Sequence, residues 1–212
     1  MQPVWNGDTR DRVKWGALFH LAHKGRLSPI IQVAYLRDRT KRNLYIGSDE
    51  RRARVPKAVW DYFSDLHNIE RLGSAMGTPV VVFDAPFNHE KRKEYVQEAI
   101  RSLGVYPGPK LVFLDPDTGI MRDSSAGPKH ATMGDIEEFW EAMSPGDVLA
   151  VYQHASHASH WRDTRRQQFS FACNRAPAAA IWSPMIAKDV AVLWTRKRGA
   201  GRVRSVLTSV EP

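Results

Sequence analysis

The stretch Lys110-Leu-Val-Phe-Leu-Asp-Pro-Asp-Thr-Gly119 constrains this chain more than any other. An unbroken apolar run, Leu111–Leu114, stops at an acid, a proline, a second acid and a glycine-closed turn. An apolar run without in–out alternation fits a strand covered on both faces. Such strands belong to parallel sheets with helices on either side. Ligands of these sheets bind beyond the carboxyl ends of the strands. The run therefore predicts a central parallel strand that carries Asp115 to an edge where chemistry is done.

The rest of the chain alternates in the same manner. Residues 8–23 read as a helix, with Asp8 placed to cap it, Asp11 three residues on, and Val13, Ala17, Leu18 and Leu21 as its buried stripe. Pro29–Leu36 reads as a strand with proline at its start. A short strand around Leu44–Ile46 lies in the basic stretch that follows, and Pro56 opens a helix expected to run to about Leu72, with Gly73 and Gly77 at its exit. Val80–Asp84 reads as a buried strand ending in an acid, and 89–103 as an amphipathic helix stopped by Gly104. Leu111–Leu114 is then the fourth strand, and 121–131 a polar loop. Thr132 caps a helix with the stripe Ile136, Phe139, Trp140 and Met143; Asp147–Tyr152 is another buried strand, and 158–174 reads as helical. Val190–Thr195 and Val203–Thr208 read as a hairpin around the basic turn Lys197–Arg202. This order predicts a single α/β domain over residues 1–212: three layers, Rossmann-like, a mostly parallel sheet and a C-terminal antiparallel hairpin.

The net charge of +8 points to a polyanionic partner, either nucleic acid or a phosphorylated substrate. Its densest cationic stretches are Arg37–Arg54, which includes Arg39, Lys41, Arg42, Arg51 and Arg52, and Lys197–Arg202. If both border the Asp115 edge they form a groove that tracks phosphates. A lone cysteine, Cys173, excludes an internal disulfide and a thiolate zinc site, and fits a reducing cytoplasm. Residues 1–14 contain no apolar signal core, and no run approaches the ~20 apolar residues of a membrane span.

Three constellations could carry chemistry. In the Asp115–Gly119 turn, Asp115 could accept hydrogen bonds from a nucleobase amine and so position it for methyl transfer. It could instead attack phosphate, with Asp117 as acid and both near Mg²⁺, or the two acids could hold a metal for backbone hydrolysis. A plain Asp-Pro turn is the structural alternative. In Tyr152-Gln-His-Ala-Ser-His-Ala-Ser-His160 the histidines 154, 157 and 160 would share one side of a helix as metal ligands, Gln153 or His154 could contact substrate, or the segment could be a solvated loop. In Asn6–Trp15, Asp8 and Asp11 suit capping, while Lys14 over the active edge could reach a phosphate or a carboxylate.

Gly7-Asp8, Asp11, Val13 and Lys14, followed late in the chain by Leu-Asp-Pro-Asp, resemble a branch of the S-adenosylmethionine-dependent methyltransferases. That branch is the bacterial adenine-N6 methyltransferases of large-subunit ribosomal RNA. The family places an Asn-x-x-Asp-Val-x-Lys helix before strand 1 and Asp-Pro-Pro-Tyr after strand 4, and its strands 6 and 7 are similar to the terminal hairpin here. The resemblance implies S-adenosylmethionine as cofactor and a base amine as acceptor. Asp115 and Pro116 would orient the amine, Asp8, Asp11 and Lys14 would stand at the cofactor and substrate mouth, and Asp84 would bind a ribose. Independently of the resemblance, the 152–160 segment and the basic stretch make Gln153, His154, Arg37 and Arg39 the expected substrate contacts. This chain has Asp117 and Thr118 where the family has its second proline and its aromatic. Leu36-Arg-Asp-Arg-Thr-Lys41 stands at the family's glycine-rich turn.

The leading expectation is thus a nucleic-acid-directed base N-methyltransferase relative, in a degenerate form if cofactor binding is lost. A metal-dependent nuclease or phosphohydrolase using Asp115, Asp117 and His154 is the hydrolytic alternative. It has a likeness to haloacid-dehalogenase-type enzymes, whose Asp-x-Asp-x-Thr differs here by Thr118 arriving one place early. A non-catalytic nucleic-acid-binding module is the third.

Overall fold

The computed structural model describes residues 9–37, 45–46, 53–54, 65–156 and 158–199. In chain order these form α1 (Thr9–Gly25), β1 (Ile30–Val33), β2 (Tyr45–Ile46), β3 (Ala53–Arg54), α2 (Asn68–Ala75), β4 (Val80–Phe83) and α3 (Arg92–Leu103). Then come β5 (Leu111–Leu114), β6 (Gly119–Met121), β7 (His130–Thr132), α4 (Met133–Ala142), β8 (Val148–His154), α5 (Trp161–Ala172), β9 (Ala179–Ser183) and β10 (Ala187–Arg196).

Six strands make one sheet in the order β4-β1-β5-β8-β10-β9. β1 is parallel to β4 and β5, and β5 to β8. β10 runs antiparallel to both β8 and β9, so β9 points the same way as the first four. The protein is therefore a three-layer, Rossmann-like α/β fold with a mostly parallel sheet and an antiparallel C-terminal hairpin, the fold class expected from the sequence.

The two-residue period of the strands sorts side chains between two cores. Ile30, Leu111, Phe113, Val148, Ala150 and Val192 pack beneath α1. Ile31, Val33, Val112, Leu114, Leu149 and Val151 pack against α3, α4 and α5. Every residue of β5 is fully buried, which explains its continuous apolar run. Each such Leu or Phe stabilises the fold by ~1.5–3 kcal/mol relative to exposure.

Several boundaries differ from expectation. Of the helix expected from Pro56 to about Leu72, residues 56–64 lie outside the described residues; a turn at 65–67 precedes α2, which begins at Asn68 and carries Gly73 inside it. β2 and β3 pair with each other outside the main sheet, so β5 is third in the main sheet and β4 second. Residues 121–131 are more than a polar loop: β6 and β7 pair in parallel around a short 3-10 turn, Asp123–Ser125. The expected helix over 158–174 is Trp161–Ala172. The hairpin closes at β9–β10 rather than through the Lys197–Arg202 turn, because Ala179–Ser183 forms the outer strand. Val203–Thr208 lies outside the described residues.

Candidate functional site

The connection leaving β1 runs to β4 on one side, and the chain returns to β5 on the other. The carboxyl ends of β1 and β5 thus flank the topological switch point, where an open α/β sheet forms its ligand crevice. Asp115 stands there. Its amide donates to the Val33 carbonyl (3.0 Å), which laces the two strand ends together. Continuing the alternation of Leu111 and Phe113, its carboxylate falls on the α1 face.

That carboxylate is buried and held by side chains from other elements. Lys14 Nζ of α1 donates to Asp115 Oδ2 at 3.0 Å, and Gln32 Nε2 of β1 donates to the same oxygen at 2.7 Å. Lys14 also pairs with Asp11 Oδ1 at 2.6 Å, and its ammonium lies 5.4 Å from the Tyr152 ring centroid, within cation–π range. Lys14 is only 3% exposed. Removing an ammonium and a carboxylate from water costs several kcal/mol for each ion, and their attraction offsets that cost only when geometry and added hydrogen bonds are good.

Electrostatics follow from this enclosure. Burial alone disfavours the Lys14 ammonium, but the Asp115 and Asp11 carboxylates outweigh it and raise the lysine well above its ordinary value. Burial pushes the Asp115 carboxyl up by more than Lys14 pulls it down, so this acid is harder to ionise than a free aspartate.

The other expected site residues divide into distinct groups. Arg37, just beyond β1, forms an ion pair with Asp117, so the second acid of the turn faces a cation, and Pro116 lies between the two acids. Asp84 follows β4, the main-sheet strand beside β1. It is half exposed and accepts from His67 Nε2 at 3.1 Å. His67 is raised above its ordinary range, first by its Glu70 contact and then by Asp84. His154 ends β8 on the α1 face, its Nε2 3.0 Å from the Tyr152 hydroxyl.

Gln153 points to the opposite face. Its Oε1 accepts from the Ile120 amide (2.8 Å), and its Nε2 donates to the carbonyls of His154 (2.8 Å) and Thr118 (3.2 Å). It clamps β6 onto β8, and a Cβ on Gly119, at φ +108°, would come within 2.4 Å of its amide. The Gln153 side chain, expected to contact substrate, is here hydrogen-bonded to the backbone at β6 and β8.

The histidine trio does not share one side of a helix, because His154 is in a strand and His160 precedes α5; His157 is outside the described residues, as are Asp8 and Arg39. Lys197 is not at this edge either. β10 runs antiparallel, carrying Lys197 to the amino ends of the strands, where its Nζ donates to the Trp140 and Glu141 carbonyls at the end of α4.

Three residues were not singled out in the sequence as parts of this site: Gln32, Arg10 and Asp189. Gln32 interrupts an otherwise apolar strand, which was its available signal. Arg10 and Asp189 form an ion pair through Nε (2.9 Å) and Nη2 (2.7 Å) at the rim, where α1 meets β10; 179 residues separate them, and no local pattern announces the pair.

No family model matches this chain, and no curated protein does. Among solved structures it is similar to a "putative methyltransferase" from Thermobifida fusca, with a TM-score of 0.46 and 8% identity over 90% of this chain and 81% of that one. It is also similar to a DUF574 family protein from Streptomyces avermitilis, with a TM-score of 0.39 and 10% identity over 89% and 82% of the two chains.

Proposed function

We propose that this chain uses S-adenosylmethionine to methylate an amine nitrogen of a nucleic-acid base, with Asp115 receiving the amine. The observation that supports this most is the buried Asp115 carboxylate at the switch point, fixed by Lys14 and Gln32 instead of by the amides of its own turn. A carboxylate buried with no role in the backbone is the kind of feature that marks a functional site.

The residues fit the cofactor at two places. Asp84, half exposed at the end of the strand beside β1, is suited to a ribose diol. At the exit of β1, Tyr35 takes the left-handed backbone step that glycine usually takes (φ +47°), and its ring turns to the opposite face against Phe87 and Tyr95. The small Ala34 is left on the α1 face. When bound, the cofactor supplies an electrophilic methyl group.

The chain's own residues do the rest. Both side-chain donors converge on Asp115 Oδ2, so Oδ1 is the acceptor for an N–H of the incoming amine. That contact aims the nitrogen lone pair away from the carboxylate, toward the crevice above β1. Positioning of this kind is worth ~10²-fold or more in rate. The raised affinity of Asp115 for a proton suits it to take the one the amine releases, and Lys14 holds the carboxylate in place throughout.

The net charge of +8 supports a nucleic-acid acceptor. The metal-dependent hydrolytic reading has less support. Asp115 and Asp117 each already face a cationic side chain, and among the described residues no group of three or more His, Cys, Asp or Glu is arranged to hold a metal ion.

Calorimetric titration with S-adenosylmethionine and its demethylated product tests the reading. Saturable binding is expected, together with radiolabelled methyl transfer to RNA or DNA that falls at least ~10²-fold in Asp115→Ala while the melting temperature is kept. Failure of both cofactor forms to bind, or full turnover by Asp115→Ala, would remove it.

A further inference from the structure

The tip of the C-terminal hairpin concentrates exposed apolar surface. Trp182, Met185 and Ile186 are 47%, 90% and 56% exposed, and they sit where β9 ends and β10 begins, at the same edge as Asp115. A cluster of large apolar side chains this dense on a charged protein calls for an occupant.

The chemistry around Trp182 says what kind. The Arg162 guanidinium lies 4.5 Å from the buried Trp161 ring centroid and 5.2 Å from that of Trp182. Arg162 also donates to the Lys188 carbonyl, so the stack of Trp161, Arg162 and Trp182 is pinned before anything binds. One face of Trp182 is covered by a cation and much of the rest of the ring is open to solvent. Lys188, whose carbonyl Arg162 holds, adds positive charge at the start of β10. An open indole ring flanked by cations matches a π-faced, polyanionic ligand. A rigid aromatic–arginine pair is also the residue combination that dominates binding energies.

The strand order sets the distance. From β5 to β9 there are three strand spacings, roughly 14 Å along the sheet at ~4.8 Å each. Trp182 packs on the α5 face whereas the Asp115 carboxylate is on the α1 face, so a bound strand crosses over the carboxyl edge from one to the other. Asp189 of β10, paired with Arg10 of α1, and His154 of β8 lie on the intervening strands. We propose that Trp182, backed by Arg162, is a stacking platform for a base of single-stranded nucleic acid, holding the strand a few nucleotides from the base delivered to Asp115. This extends the proposed nucleobase acceptor by naming its single-stranded form and its anchor. The alternatives for this patch, a protein partner or a second copy of the chain, would not need the cations.

Fluorescence anisotropy with labelled 12-nucleotide single-stranded RNA and DNA of mixed sequence provides the test, at ~50 mM and ~200 mM salt. Wild-type protein should bind at least one of the two, more weakly at the higher salt, with quenching of tryptophan emission. Trp182→Ala should raise Kd about tenfold, as expected for one lost base stack. Trp182→Phe should recover part of the loss, and Phe171→Ala, an exposed aromatic elsewhere (61%), should match wild type. The tighter of the RNA and DNA arms identifies the natural polymer. No binding of either polymer by wild type, an unchanged Kd in Trp182→Ala, or an equal loss in Phe171→Ala would overturn the proposal. Oligonucleotide binding through Trp182 in a protein that ignores S-adenosylmethionine would overturn only the methyl-transfer reading.

Discussion

Two buried charge clusters lie on opposite faces of this sheet, and they use their charges differently. On the α4 face, Asp135 accepts from the Thr132 amide (3.0 Å) while its own amide donates to Thr132 Oγ1 (2.9 Å), closing a capping box at the start of α4. The same carboxylate accepts from Tyr35 Oη at 3.1 Å and from Arg92, which also donates to the His130 and Gly127 carbonyls. Four of these six contacts satisfy a backbone group or the helix start. On the α1 face, the Asp115 carboxylate contacts Lys14 and Gln32 and, among the described residues, accepts from no backbone amide. A buried ion that builds no secondary structure is what a binding site retains, and the contrast separates architecture from function more sharply than burial does.

The largest expected effect is the loss of Lys14. Lys14→Met leaves two carboxylates without their shared cation and should destabilise the protein by ~3–5 kcal/mol in urea unfolding. Adding Asp115→Asn to that variant should restore a good part of the loss. If the double variant is no more stable than Lys14→Met, the lysine acts through packing and the contrast between the clusters fails.

Next in size is Asp135→Asn set against Asp115→Asn. The first weakens the capping box and leaves Arg92 with less compensation, a loss of ~1–3 kcal/mol. The second removes a charge that is costly to bury and leaves Lys14 paired with Asp11, so stability should stay within ~1 kcal/mol of wild type while methyl transfer is lost. Equal destabilisation by the two would make Asp115 as architectural as Asp135.

Much of this contrast was legible in the sequence. The unbroken run Leu111–Leu114 predicted β5, and the Thr132 cap with its apolar stripe predicted α4, because these signals are local. The stripe of α1 was legible as well. A carboxylate was one of two partners open to Lys14, and its identity as Asp115 was not legible, since 101 residues separate them and only the fold sets that register. Ala179–Ser183 reads as small residues around a lone Ile-Trp pair, so the outer hairpin strand escaped, although its pairing with β10 follows once β10 is in place. β6 and β7 escaped for a similar reason: they are held by the Gln153 amide and by close packing at Gly119, neither of which has a periodic pattern.

A third, smaller effect is the alkaline limit of stability. The folded-state pKa of Lys14 is raised above its ordinary value of 10.5, so the folded protein keeps this proton after the unfolded chain has lost it. Its contribution is fully present below 10.5 and declines as pH rises from there toward the folded value. Asp115, raised from 3.8, behaves with the same sign at the other end. It favours the fold most below 3.8 and less as pH rises through its folded value. Unfolding free energies from pH 9 to pH 11.5, a range spanning the ordinary lysine value, should fall less steeply in Lys14→Met than in wild type. Identical slopes would mean that the ammonium is not held by its two carboxylates.

The smallest effect expected is at the rim. Arg10 and Asp189 make a geometrically good pair, and the Arg10 hydrogen bond is the main reason Asp189 is held below its ordinary value. Yet the two side chains are 43% and 40% exposed, so water and salt screen most of the attraction. Arg10→Ala should cost no more than ~1 kcal/mol, with the difference shrinking as salt is added and as pH falls through the Asp189 titration. A loss comparable to that of Lys14→Met, insensitive to salt, would show that the rim is as dry as the centre. The crevice between α1 and the ends of the strands would then be closed to an incoming base, and the difference between a buried positioning pair and a solvated rim pair would disappear.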